Sequence, residues 1–215
     1  FLAGPVMRQI ELRQALDVEE MLRAEIDHRV KNSLQTVASI LRVQKSRLSH
    51  DAARQALTAA ERRINTVSLV HNALYQTEHT DALDLSAFLP RVTGLLSSTL
   101  PPAIRLNAQL DPVTVGPATA RALAMIVSEF VANSAKHAFD EGQGGEIRVA
   151  GEVGEDGYAL RLADTGRGIA DLDGAILNGD GIGLQIVQGC AEQVGATAEW
   201  GTGGAGAGVS LTVAI

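Results

Sequence analysis

The chain predicts a helical hairpin followed by an α+β two-layer sandwich, on three observations. Residues 21–48 contain no Pro or Gly and carry apolar side chains at helical spacing. Beyond residue 100, short alternating apolar and polar runs are separated by turns rich in Gly and Asp. Helices and mostly antiparallel strands come in blocks rather than in strict βαβ alternation. A length of 215 residues suffices for one large or two small domains with a real core. Apolar residues make up 46% of the chain but aromatics only 3%, so that core is aliphatic.

From Val6 to Leu48 the pattern reads as one helix, longer than ordinary globular helices and suited to a bundle or coiled coil. Ile26, Val30, Val37 and Leu48 share a narrow stripe, with Leu34 and Leu41 at its edge. His50-Asp51 breaks the helix, and Ser49 or Asp51 can cap the next. A second helix, Ala52 to Gln76, carries Leu57, Ile64, Val67, Leu69, Val70 and Leu74. The two form an antiparallel hairpin whose apolar faces are too broad to satisfy each other, so a four-helix homodimer is expected. Val6, Ile10, Leu12, Leu16 and Met21 extend a coiled-coil-like pattern that favours the same dimer. Thr77 to Asp84 reads as a linker, which divides the chain into domains 1–80 and 81–215.

Leu85 to Leu100 reads as a helix ended by Pro101-Pro102, and Ile104 to Leu110 as a strand. Pro117 opens a helix running to about Phe139. Glu146 to Val153 and Tyr158 to Ala163 alternate around Gly154-Glu155-Asp156-Gly157, a hairpin signal. Asp164 to Gly183 is rich in Gly and Asp and aperiodic, so it reads as a loop. Ile182 to Val194 returns to helix, and a last hairpin occupies Ala196 to Ile215.

Composition excludes several classes. With 18 basic and 25 acidic residues the net charge is −7, which argues against nucleic acid or an anionic membrane as the main partner. The single cysteine, Cys190, permits no internal disulfide and suits a reducing cytoplasm. No apolar run reaches the ~18 residues of a membrane span, and no secretory signal is present. The chain opens on Phe1 rather than Met, so a fragment with a missing upstream segment is expected.

Four local patterns carry chemistry. Asp27-His28-Arg29-Val30-Lys31-Asn32 places an imidazole about 200° around the helix from Ile26, nearly opposite the apolar stripe and exposed to solvent. On the helix opened by Pro117, Glu129, Asn133, Lys136 and His137 recur at i, i+4, i+7 and i+8 and share a face. A carboxylate, an amide, an ammonium and an imidazole on one stripe build a poor core but can hold Mg²⁺ and phosphates. Asp164-Thr165-Gly166-Arg167-Gly168-Ile169 follows a strand, so its carboxylate can accept from an exocyclic amine while its glycines let backbone approach a ligand. Gly179-Asp180-Gly181-Ile182-Gly183-Leu184 runs into a helix, where freed amides and the helix N-terminus favour anionic oxygens. It lacks the Lys-Ser/Thr of a P-loop.

In this order the patterns resemble the N-box, G1 box and G2 box of sensor histidine kinases. His28-Arg-Val-Lys-Asn-Ser-Leu-Gln resembles the phosphoacceptor box of the bacterial class related to the HWE kinases, and Arg63 to His71 resembles that class's second hairpin helix. The resemblance spans the chain from about Glu25 to the C-terminus. It implies a dimerisation and phosphotransfer hairpin followed by a Bergerat-type ATP-binding sandwich. His28 would be phosphorylated from Mg·ATP and would pass the phosphoryl group to an aspartate of a response regulator. Asn133 would ligate Mg²⁺, and Asp164 would read the adenine amine. Gly166 and Gly168 would line the base pocket, while Gly179, Gly181, Gly183 and Leu184 would border the phosphates. Lys136 and His137 would contact the triphosphate, and residues 170–180 would form a lid. The missing upstream segment would be the sensory domain of a cytoplasmic kinase.

The chain departs from the family pattern at three places. Arg29 stands where many histidine kinases carry an acidic residue, so Asp27, Glu129 or neither is the general base. The Trp-x-Glu of the HWE kinases proper and a Phe-bearing F-box are absent. By residue type alone, His50, His71 and His79 are alternative acceptors. The competing functional readings are a phosphatase, a phosphotransferase or adaptor that docks regulators, and another ATPase of the superfamily. Intact Asn133, Asp164 and the glycine loop count against a vestigial pocket.

Overall fold

The computed structural model describes residues 3–75, 82–140, 142–168, 182–202 and 206–214. The chain divides into two compact units, Phe1–Ser68 and Leu69–Ile215, so the division falls inside the second helix.

Helix α1 (Ala3–Arg47) and helix α2 (Asp51–Tyr75) make up the first unit up to Ser68. Among the described side chains of α1 the buried or half-buried ones are Val30, Leu34, Ala38, Leu41 and Lys45, whereas Ile26 is 58% and Val37 43% exposed. Of the predicted stripe and its edge, Val30, Leu34 and Leu41 are covered within this chain and Ile26 and Val37 are not. The covered face centres about 80° from Ile26. Arg42 Nε and Lys45 Nζ both donate to the carboxylate of Glu61 on α2, at 2.9 and 2.7 Å. Those bonds, Lys45 first, hold the Glu61 carboxyl below the ordinary carboxylate range.

The second unit is a two-layer sandwich. Its sheet, among the described residues, has the order β2-β4-β5-β7-β6, with β2 (Ile104–Leu110), β4 (Gly145–Gly154), β5 (Gly157–Asp164), β6 (Ala198–Thr202) and β7 (Ala207–Val213). Strand β2 pairs in parallel with β4 and every other neighbour is antiparallel. The β4–β5 hairpin closes at Gly154↔Gly157, leaving a two-residue turn, Glu155-Asp156, inside the predicted Gly154–Gly157 connection. Two short strands, β1 (Leu83–Asp84) and β3 (Thr114–Val115), pair with each other. They went unpredicted because two residues show no periodicity, and Leu83–Asp84 lies within the segment expected to be linker.

Helices α3 (Leu85–Ser97), α4 (Pro117–His137) and α5 (Ile182–Gln193) form the other layer. Asp84 caps α3, its Oδ1 accepting from the Ser86 amide at 2.8 Å. The core joins Phe88, Leu89 and Val92 of α3, Leu123, Ile126 and Phe130 of α4, and Val187 and Ala191 of α5 to Ile147, Leu160, Leu162 and Leu211 of the sheet. The opposite sheet face is polar, with Arg105, Asn107, Arg148 and Arg161 exposed.

Candidate active site

His28 is exposed on α1, as its position opposite the stripe predicts. One turn on, Asn32 Nδ2 lies 3.3 Å from His28 Nδ1, so that edge of the ring is engaged within the helix. One turn back, Arg29 Nε donates to Glu25 Oε1 at 2.7 Å, and this bond holds the Glu25 carboxyl below its ordinary range. Arg29 is thus committed to a carboxylate on its own helix.

In the second unit, β5 ends on Asp164, whose carboxylate is buried. A buried carboxylate is tolerated only when its oxygens are satisfied. Ser134 Oγ, from α4, donates to Asp164 Oδ2 at 2.8 Å. The Gly166 and Ala207 amides reach Asp164 Oδ1 at 2.9 and 3.2 Å. Side chains are excluded around this carboxylate. Gly206 has φ +133°, and a Cβ there would overlap the Asp164 carbonyl. A Cβ on Gly166 would sit 2.7 Å from the Ala138 carbonyl carbon. Gly168 adopts φ +73°.

The loop after Asp164 is fastened at both ends. The Thr165 amide donates to the Glu146 carbonyl at 3.0 Å, and the Glu146 amide returns a bond to Thr165 Oγ1 at 3.0 Å. The Arg167 amide donates to the Ala138 carbonyl at 2.9 Å, and its Nε to the His137 carbonyl at 2.8 Å.

The polar stripe of α4 is graded rather than uniformly solvated: Glu129 is buried, Asn133 half-buried, and Lys136 and His137 exposed. Gly183 in the first turn of α5 packs over the inner two. A Cβ there would lie 2.9 Å from Asn133 Nδ2 and 3.1 Å from Glu129 Oε2. The structure therefore brings Glu129, Asn133 and Gly183 together, and separately gathers Asp164, Gly166 and Gly168 with Ser134 and Gly206. Leu184 is half-buried in α5. Gly179, Gly181 and the 170–180 segment expected as a lid lie outside the described residues, as do His79 and the side chain of Asp27.

Ser134 and Gly206 were missed by sequence reasoning, and Arg167 was read only as a motif position. Ser134 adjoins Asn133 in a helix, and Gly206 falls in a glycine-rich run of sequence between β6 and β7, so neither carries a spacing signal.

Among the described residues no three His, Cys, Asp or Glu side chains cluster as a metal cage. Mg²⁺ commonly takes only one or two protein oxygens besides phosphate and water, and the half-buried Asn133 amide fits that role. The glycine-walled carboxylate likewise fits a flat base carrying an amine.

A family model for histidine kinases matches residues 25–100. Residues 118–215 match the model of histidine kinase-, DNA gyrase B- and HSP90-like ATPases. The chain belongs to the histidine kinases. The sensor histidine kinase PdtaS of Mycolicibacterium smegmatis is 34% identical over 167 residues, covering 76% of this chain and 33% of that protein. Blue-light-activated histidine kinase 2 of Erythrobacter litoralis is 29% identical over 209 residues, covering 94% of this chain and 59% of that protein. The histidine kinase domain of the Erythrobacter litoralis EL346 blue-light activated histidine kinase matches with a TM-score of 0.62 at 27% identity, covering 88% of this chain and 91% of that domain. The chain spans about a third of the length of the mycobacterial relatives it matches. Among the described residues no helix is long and apolar enough to cross a membrane.

Proposed function

We propose that this chain is the core of a cytoplasmic sensor histidine kinase that phosphorylates His28 from Mg·ATP and passes the phosphoryl group to an aspartate of a response regulator. Residues 1–80 act as the dimerisation and phosphotransfer hairpin, and residues 81–215 bind ATP. The observation that carries this reading is the buried Asp164 carboxylate, held by Ser134 and two backbone amides among positions where only glycine fits. A carboxylate fixed in that way accepts a hydrogen bond from the adenine amine. Asn133 would supply an amide oxygen to Mg²⁺, with Gly183 keeping the space beside it free of a side chain. Lys136 and His137, exposed at the end of α4, meet the triphosphate oxygens. Mg²⁺ held there would neutralise charge on the transferring phosphoryl group.

The transfer itself needs an accessible ring nitrogen. Nε2 of His28 attacks the γ-phosphorus, the bond to the bridging oxygen breaks, and ADP leaves. The lone pair must then be on Nε2, which puts the ring proton on Nδ1 facing Asn32. A half-turn of the Asn32 amide presents Oδ1 to accept that proton's hydrogen bond. The Nδ1 proton released on transfer goes to Glu129, to Asp27 or directly to water. The phosphoramidate is labile, so a regulator's carboxylate can displace the imidazole. Exposed apolar residues on α1, including Leu22, Ile26, Ile40 and Val43, support a homodimer that buries them.

Incubation with γ-labelled Mg·ATP tests the proposal. Acid-labile, base-stable label is expected on wild type and none on His28→Ala, with nucleotide binding equal in both. Equal labelling of the two would remove His28 from the mechanism. Because Arg29 is paired with Glu25 and no carboxylate follows His28 directly, the alternative is a phosphotransferase, a phosphatase or an adaptor for response regulators. Nucleotide binding without any label would favour it.

A further inference from the structure

Helix α4 and the loop after β5 meet at two points one helical turn apart. The first is the Ser134–Asp164 hydrogen bond at 2.8 Å. The second is Arg167. Its amide donates to the Ala138 carbonyl at 2.9 Å, its Nε to the His137 carbonyl at 2.8 Å, and a terminal guanidinium nitrogen reaches Asp140 Oδ1 at 3.4 Å. The last carbonyls of a helix have no partner within it, and the negative end of the helix dipole favours a cation there. Arg167 meets both demands from a different element of the fold. Its side chain is 61% exposed, so the ion pair with Asp140 contributes little and the carbonyl bond is the working contact.

The consequence lies at Gly166 and Gly168, the neighbours of Arg167. Gly166 is pressed against Ala138, and its amide is one of the two backbone donors to Asp164 Oδ1. Holding Arg167 against the end of α4 therefore holds the Gly166 amide on the carboxylate. We propose that Arg167 is a positioning residue that sets base selectivity: by fixing the 164–168 loop against the end of α4, it keeps the Asp164 carboxylate where it accepts from an adenine amine and repels the carbonyl oxygen of guanine. This rests on the nucleotide-site reading above. A rigid acceptor facing a second acceptor is costly, whereas one on a slackened loop can turn away or admit a water.

ADP and GDP titrated calorimetrically into the whole chain, in Mg²⁺, test this on Arg167→Met and Arg167→Lys. Met keeps the length of the side chain without its donors, and Lys keeps a donor able to reach a carbonyl. Arg167→Met is expected to weaken ADP about tenfold and to shrink the preference for ADP over GDP by a similar factor. Arg167→Lys is expected to stay within about threefold of wild type on both counts. Loss of packing alone would weaken both nucleotides together and would not be rescued by Lys. An Arg167→Met chain that binds and discriminates like wild type overturns the proposal. A wild-type chain that binds neither nucleotide overturns the reading on which it rests, a different result seen before any variant is made.

Discussion

Ser134→Ala is the most informative single change, because it removes one hydroxyl from a buried carboxylate and little else. Both residues are buried, and the bond between them is 2.8 Å long. Deleting a donor to a buried charged acceptor costs about 2 kcal/mol, since Asp164 Oδ2 keeps its desolvation penalty and loses its partner. In a unit the size of Leu69–Ile215 that corresponds to a fall in melting temperature of about 5 °C. Trp200 is the chain's one tryptophan and packs half-buried against this unit's core, so its fluorescence follows the melting of the ATP-binding half alone. Combining the change with Asp164→Asn completes a double-mutant cycle, for which a coupling of about 1–2 kcal/mol is expected. A melting temperature within 1 °C of wild type, or additive effects in the cycle, would mean that the hydroxyl does not hold the carboxylate. The account of how Asp164 is presented would then be wrong.

Three further outcomes follow from the same structure. Gly206→Ala combines a left-handed backbone with overlap on the Asp164 carbonyl, so it is expected to destabilise the second unit by more than the ~1–3 kcal/mol of backbone strain alone and to abolish ADP binding, read by Trp200 melting and calorimetry. Burial, with Asp111 and then Asp84, pushes the Tyr158 phenol up to about 12. Because the folded value is raised, its contribution is complete below the unfolded value near 10 and is lost as pH rises through about 12. Tyr158→Phe should flatten the fall in Trp200-detected stability over that alkaline window, and an unchanged slope would refute the assignment. Glu61 is the opposite case: its lowered carboxyl stabilises the hairpin above the ordinary value of 4.5 and loses that effect as pH falls through the folded value. Protection of the α1 amides, corrected for the intrinsic pH dependence of exchange, should fall in acid for wild type and vary less with pH in Glu61→Gln.

The helices and hairpins were legible in the chain because each is decided by residues close in sequence. Pro117 at a helix start, the two-residue turn between Gly154 and Gly157, and the alternation in Ile104–Leu110 state their structure locally. The exposure of His28 followed from helical geometry in the same way. The glycines at 166 and 168 signalled close backbone approach, although their partners were not visible.

The tertiary structure alone decided which groups meet. Ser134 and Asp164 lie thirty residues apart and Asp164 and Ala207 forty-three, so no periodicity joins them. The parallel pairing of β2 with β4 spans α4, and it determines which strand ends the core helix faces. Which apolar residues of α1 are covered within the chain, Val30, Leu34, Ala38 and Leu41 but not Ile26 or Val37, was also decided by packing. The sequence by itself determined the elements and the residue types of a phosphotransfer enzyme, since backbone hydrogen bonding and side-chain chemistry are local. The cradle around Asp164 and the fastening by Arg167 depend on non-local contacts that exist only once the sheet and α4 have packed.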